Sequence, residues 1–262
     1  LNPSEVLPHN IPGMPQYGNR TEVIIRVKTP SGRPISGWPI FLEARGVPGS
    51  GGHDHYENRP TGDFQQNNGQ TDENGEFRTF YFASEFGGIE RIIAYGGIID
   101  SADLSVRVPG LILLPETEYY LKVGGTCFHH GPPKPWDQPQ PPQECWIPDH
   151  NHYIQPAIYV ALLAVSSRYY ARTEGARLCI NDVSLPYGGD FDVCGNWEED
   201  LCPPPSCGHQ SHRIGRDIDI ATRVVNQQGQ QIGWVNSILL RRIVSWVGGA
   251  FRPEGDHYHI RF

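Results

Sequence analysis

Between Thr21 and Pro109 the chain repeats one pattern: short runs in which apolar residues alternate with polar ones, separated by Gly-, Pro- and Asn-rich turns. A period of two is that of a strand half-buried in a sheet. The run "TEVIIRVKTPSGRPISGWPIFLEA" reads as a strand, a turn at Pro30-Ser31-Gly32 and a second strand through Ile40 and Leu42. "TDENGEFRTFYFA" turns at Asn74-Gly75 and then sets Phe77, Thr79 and Tyr81 on one face. "GGIERIIAYGG" and "ADLSVRVPG" continue the series. Short strands at regular spacing predict an all-β sandwich over residues 21–109. Residues 1–20 are Pro- and Gly-rich without periodicity and are expected to form an extended lead-in.

Residues 110–149 contain "FHHGPPKPWDQPQPPQECW", whose prolines are incompatible with regular structure. Cys127 and Cys145 bracket this connector, and a disulfide between them would pin it at a gain of roughly 3 kcal/mol. His129 and His130 read as solvated loop residues, with a lid or substrate contact as the alternative. The period then becomes helical: "QPAIYVALLAVSSRYYAR" puts Ile158, Leu162, Val165 and Tyr169 on one face, with Pro156 in the first turn. "ARLCINDVSLPYGG" reads as a strand running into a Gly-Gly turn. "RDIDIATRVV" is a strand with Ile218 and Ile220 on one face and Asp217 and Asp219 on the other. "NSILLRRIVSWVGG" is a second helix, capped by Asn236 and ended by Gly248. "DHYHIRF" is a last strand, so residues 150–262 predict an α+β domain with a small antiparallel sheet.

Composition narrows the function classes. A formal net charge of -8 without a basic stripe speaks against nucleic acid as a partner. No run reaches the ~18 apolar residues that span a bilayer, so no transmembrane segment is expected. The six cysteines, Cys127, Cys145, Cys179, Cys194, Cys202 and Cys207, suggest up to three disulfides and an extracytoplasmic location: periplasm, cell surface or medium. The chain opens on Leu1 and its single methionine is Met14, so a leader is expected to have been removed.

Histidines concentrate where chemistry is most plausible. On the last strand, period two sends His257 and His259 to one face. On the earlier strand Asp219 projects from the polar face, and His212 precedes it across the bend at Gly215. If these strands are neighbours, His212, Asp219 and His259 converge. Two imidazoles and a carboxylate suit Zn2+, and three protein ligands leave one tetrahedral position open, as in catalytic zinc sites. His53 and His55 also stand two apart, but without an evident third ligand they read as loop residues.

The ordered runs "SHRIGRDIDI" (Ser211 to Ile220), "NDVSLPYGG" (Asn181 to Gly189) and "DHYHIR" (Asp256 to Arg261) resemble the zinc peptidases that group lysostaphin, D-Ala-D-Ala metallopeptidases and hedgehog-like domains. Within that group the similarity is to the penicillin-insensitive murein endopeptidases, over about Ile154 to Phe262. The resemblance implies one zinc per chain on His212, Asp219 and His259, and His257 as a catalytic histidine beside it. It also places His209 near the metal. Asp217 and Ser211 are expected behind the ligands, Asp217 orienting a ligand or an arginine. One position departs: Glu254 stands where that family has a further histidine, so the general base is either His257 or Glu254.

The activity implied is cleavage of peptide bonds in peptidoglycan crosslinks by metal-activated water. Alternatives are a D-Ala carboxypeptidase or dipeptidase of the same group, and a non-catalytic zinc-containing wall-binding or adhesion protein. Residues 21–109 resemble bacterial immunoglobulin-like modules, which implies a spacer or a surface or wall anchor.

Overall fold

The computed structural model describes residues 1–9, 11, 18–51, 59–123, 151–190, 211–255 and 257–262. The chain is rich in β-structure and divides into two compact units, Leu1–Pro109 and Gly110–Phe262.

The first unit holds β1 (Glu5–Val6), β2 (Arg20–Arg26), β3 (Pro39–Gly46), β4 (Asp63–Phe64), β5 (Asn68–Gln70), β6 (Glu76–Phe82), β7 (Gly88–Tyr95) and β8 (Ile99–Val106). They form one sheet in the order β1-β8-β7-β3-β5 and another in the order β2-β6-β4. Alternation does what the sequence pattern requires. Phe77, Thr79 and Tyr81 of β6 are buried in turn, and Phe77 and Tyr81 meet Ile40, Leu42, Ile92 and Leu104 of the other sheet in one apolar core. The expected lead-in is corrected in part: Glu5 and Val6 pair in parallel with Ser105 and Val106, and Val6 is buried. A two-residue edge strand is joined by main-chain hydrogen bonds, so it leaves no periodicity to read.

The second unit contains β9 (Ile112–Leu113), β10 (Tyr120–Lys122), β11 (Tyr153–Ile154), α1 (Pro156–Arg172), β12 (Arg177–Ile180), β13 (Asp217–Val225), β14 (Gln231–Trp234), α2 (Ser237–Val247), β15 (Ala250–Glu254) and β16 (His257–Arg261). Its main sheet runs β10-β12-β13-β16-β15, with β14 also on β13. Leu162, Val165 and Tyr169 of α1 and Leu240, Ile243 and Val244 of α2 share one core with Leu178, Ile180, Ile218, Ile220, Val224 and Ile260 of the sheet. Asn236 caps α2 by accepting from the Leu239 N–H at 3.0 Å, and Gly248 ends it at φ 93°. Both helices therefore cover one face of the sheet and leave the other to polar side chains.

Two expectations change here. The unit begins at Gly110 rather than 150: β9 pairs with β11, β10 pairs in parallel with β12, and Tyr120 is wholly buried. The proline-dense run starts only at Pro132, and the apolar residues before it are free to join the sheet. Residues 124–150, with Cys127, Cys145, His129 and His130, lie outside the described residues, as do His53 and His55. The second change is Cys179, a buried thiol that is not in a disulfide. Three disulfides are therefore excluded, and at most two remain among the other five cysteines, all outside the described residues. Among the described residues no helix is long and apolar enough to cross a membrane.

Candidate metal centre

β13 and β16 are antiparallel neighbours, and their register sets Asp219 directly opposite His259 and Ala221 opposite His257. The alternation that sends Ile218, Ile220 and Ile260 into the helix-covered core sends Asp217, Asp219, His257 and His259 to the other face. This face is not a solvated one: Asp217 and Asp219 are 1% and 0% exposed. Buried carboxylates are costly unless they are hydrogen-bonded or hold a cation.

His212 arrives from a short 3-10 turn, His212–Ile214, which closes at Gly215. Gly215 has φ 68°, and a Cβ there would stand 2.6 Å from Leu111 Cδ2 and 3.1 Å from the Gln155 nitrogen. Both the backbone conformation and the packing thus require glycine at this bend. The turn is tied down by a buried ion pair, Arg213 to Asp190 at 2.7 Å, and by the Gly189 N–H donating to the Arg213 carbonyl at 2.9 Å.

His212, Asp219 and His259 present ligand atoms that all lie within 4.8 Å of one another. Asp219 uses both oxygens: Oδ2 is 3.2 Å from His212 Nε2, and Oδ1 is 2.9 Å from His259 Nδ1. Two ligands on a tetrahedral zinc at ~2.0–2.1 Å stand about 3.3 Å apart, so the spacing fits that ion. The two imidazoles meet edge to face, with ring centroids 5.5 Å apart and planes at 86°.

The ring orientations are set from behind. His212 Nδ1–H donates to the Val183 carbonyl at 2.9 Å, which presents Nε2 to Asp219. His259 Nε2 lies 3.0 Å from Asp217 Oδ1, which presents Nδ1. Asp217 Oδ1 is also 3.7 Å from Arg261 Nε, so it faces both His259 and an arginine. The main chain of Asp219 is gripped by the segment after β12: Asn181 N–H donates to its carbonyl at 2.7 Å, and its own N–H donates to the Asp182 carbonyl at 2.8 Å. The Asp182 carboxylate accepts from the Asn151 and Asn181 side chains and is almost wholly enclosed.

Proton affinities follow from this crowding. Burial pushes the Asp219 carboxyl up, but hydrogen bonds with His212 and His259 and the charges of His212 and His257 outweigh it and hold the group well below the carboxylate range. Burial pulls His259 down, while bonds to Asp217 and Asp219 raise it to about 9. His212 is likewise raised, burial being outweighed first by its bond to Asp219. Asp182 is raised chiefly by burial. At neutral pH the metal-free His259 therefore holds a proton that a cation would displace.

At the rim, His257 Nε2 lies 3.4 Å from Asp219 Oδ2 and 3.5 Å from Glu254 Oε2. Register pairs Glu254 with His257 across β15 and β16, and both side chains are part-exposed. The two candidate bases thus stand together beside the cluster. Ser211 sits at the start of the 3-10 turn and makes no capping bond through its side chain. His209 lies outside the described residues. The sequence reading gave no role to Val183, Asp182 or Asn151. The first two act through carbonyl groups, which no side-chain pattern announces, and Asn151 reaches the site only through the fold.

No family model matches this chain, and no curated protein matches it. Among solved structures, the C-terminal 282-residue fragment of intimin, in complex with the intimin-binding domain of the translocated intimin receptor, is similar at 11% identity and a TM-score of 0.25. That match covers 36% of this chain and 31% of the intimin fragment.

Proposed function

We propose that the chain is a zinc-dependent hydrolase that cuts peptide bonds in peptidoglycan crosslinks outside the cytoplasm. The reading is carried by one observation: His212, Asp219 and His259, drawn from a turn and two strands, converge within 4.8 Å with His257 and Glu254 beside them. It is supported by the three ordered motifs in the sequence. The hedgehog-like description of the second unit and the immunoglobulin-like description of the first, as a wall or surface anchor, belong to the same proposal.

His212 Nε2, His259 Nδ1 and an Asp219 oxygen would hold the ion, with Val183 and Asp217 fixing the imidazoles. An ion held by these residues would supply Lewis acidity and activate a water near neutral pH. His257 Nε2, between Asp219 Oδ2 and Glu254 Oε2, is placed to take the proton of the attacking water and to deliver it to the leaving amine. Glu254, whose Oε2 lies 3.5 Å from His257 Nε2, stands where the resembled family has a histidine. No serine or cysteine nucleophile is required.

Mass analysis of purified peptidoglycan digested with and without chelator tests the proposal. Conversion of crosslinked dimers to monomers, abolished by chelator, is the expected result. Loss of terminal D-Ala alone would make the chain a carboxypeptidase, and no change with zinc bound would make it a binding protein.

A further inference from the structure

The face of the sheet that carries the metal cluster extends beyond it. Along β13, Asp219 is followed on the same side by Ala221 and Arg223. The Arg223 guanidinium stands near enough to the Cys179 thiol to lower its pKa against the larger rise from burial, and Cys179 alternates on β12 with Leu178 and Ile180 of the helix-side core. Arg223 therefore lies on the face away from the helices, as Asp219 does. Register places Trp234 of β14 directly opposite Arg223. Its neighbour Val235 is in the helix-side core, so the indole also projects from the metal face. Trp234 is 73% exposed, a large apolar surface left in water on a sheet edge.

Arg223 stands four residue steps along the strand from Asp219, a span of about 13 Å at full extension. That is the reach of three or four residues of an extended peptide bound across the sheet. The chemistry of the pair is specific: a flat ring for an aliphatic or sugar face, and a guanidinium for a carboxylate. Two more arginines project beside the cluster, Arg252 in register with His259 and Arg261 in register with Asp217. Arg252 faces Glu254 at 3.3 Å and Arg261 faces Asp217 at 3.7 Å, whereas Arg223 has no carboxylate partner among the described residues and is the cation of this face open to a ligand.

We propose that Arg223 and Trp234 form a substrate subsite that holds a carboxylate-bearing segment of the crosslinked peptide while the scissile bond lies at the metal cluster. This rests on the hydrolase reading and adds the anionic character of the substrate and the direction in which it lies, along β13 from Asp219 toward β14. Trp234 supplies contact area and Arg223 the charge selection; neither touches the reacting atoms.

The test is calorimetric binding of a purified crosslinked stem-peptide fragment, and of the same fragment with its free carboxylates amidated, to the full chain. Trp234→Ala and Arg223→Gln are expected to weaken the acidic fragment about tenfold each, with zinc content unchanged. Trp234→Phe, which keeps a ring, is expected to retain most of the affinity. Amidation should cost the parent chain about tenfold and Arg223→Gln nothing. Including His212→Ala separates the two readings, because it removes the ion and leaves the subsite intact. Parent-like affinity in Trp234→Ala and Arg223→Gln, or no binding by any chain, overturns the subsite. Cleavage by the parent chain, measured in parallel, decides the hydrolase reading on its own.

Discussion

Asp217 touches no reacting group in this arrangement, yet the orientation of His259 depends on it. Its Oδ1 accepts from Nε2 at 3.0 Å and turns Nδ1 toward Asp219. Replacing it with Asn keeps the shape and leaves the ring free to take the wrong tautomer. Asp217→Asn is therefore expected to lower zinc affinity by about 10- to 100-fold in a competitive chelator titration. His259 gives a second prediction at this scale. Its folded pKa is raised from 6.5 to about 9, so in chelated protein its partnership with the two aspartates stabilises fully below pH 6.5. That stabilisation is lost as pH rises through about 9. Melting temperatures of chelated protein from pH 6.5 to 9.5 should fall accordingly, and His259→Gln should remove that part of the slope. The residue types of the cluster were legible because the zinc chemistry proposed for it uses only a few kinds of side chain. Their burial was not: an Asp-Ile-Asp-Ile alternation predicts a wet polar face, whereas Asp217 and Asp219 are buried, with His212, His257, His259 and Arg261 against their carboxylates.

Among the elements, the 3-10 turn and its terminating glycine position His212. Gly215→Ala adds a Cβ at φ 68° against Leu111 and the Gln155 backbone. The cost is expected to be about 1–3 kcal/mol, read as a shift of the denaturant midpoint, with zinc affinity falling in the same variant because His212 moves. Sequence showed the long, strongly patterned elements: β6, β7, both helices, the Asn236 cap and the Gly248 stop. It hid β1, β9, β14 and β15, and physics explains which. Each lies at a sheet edge or is two residues long, is held by main-chain bonds, and has no side-chain period to display. β15 even carries Pro253, which an edge strand tolerates because, among the described residues, one side of its backbone has no partner strand.

At the scale of the molecule, a change of period from two to helical marked the passage from a β unit to a mixed one, and the two compact units divide at Pro109. The sequence put the second unit's start too late, because proline density near residue 135 drew attention away from Tyr120, whose ring is buried in that unit's core. Cysteine count misled in a similar way: an even number invites complete pairing, whereas Cys179 sits reduced between Leu178 and Ile180 in a sheet strand. What joins the levels is a strand register, Asp219 opposite His259, that brings two distant sequence motifs into one His-Asp-His cluster, the proposed zinc site. Elemental analysis of the full chain, loaded with zinc and dialysed, tests this most directly. About one zinc per parent chain and none above background in His212→Ala is the predicted result. A metal-free parent chain, or a His212→Ala variant that retains as much zinc as the parent, would contradict it.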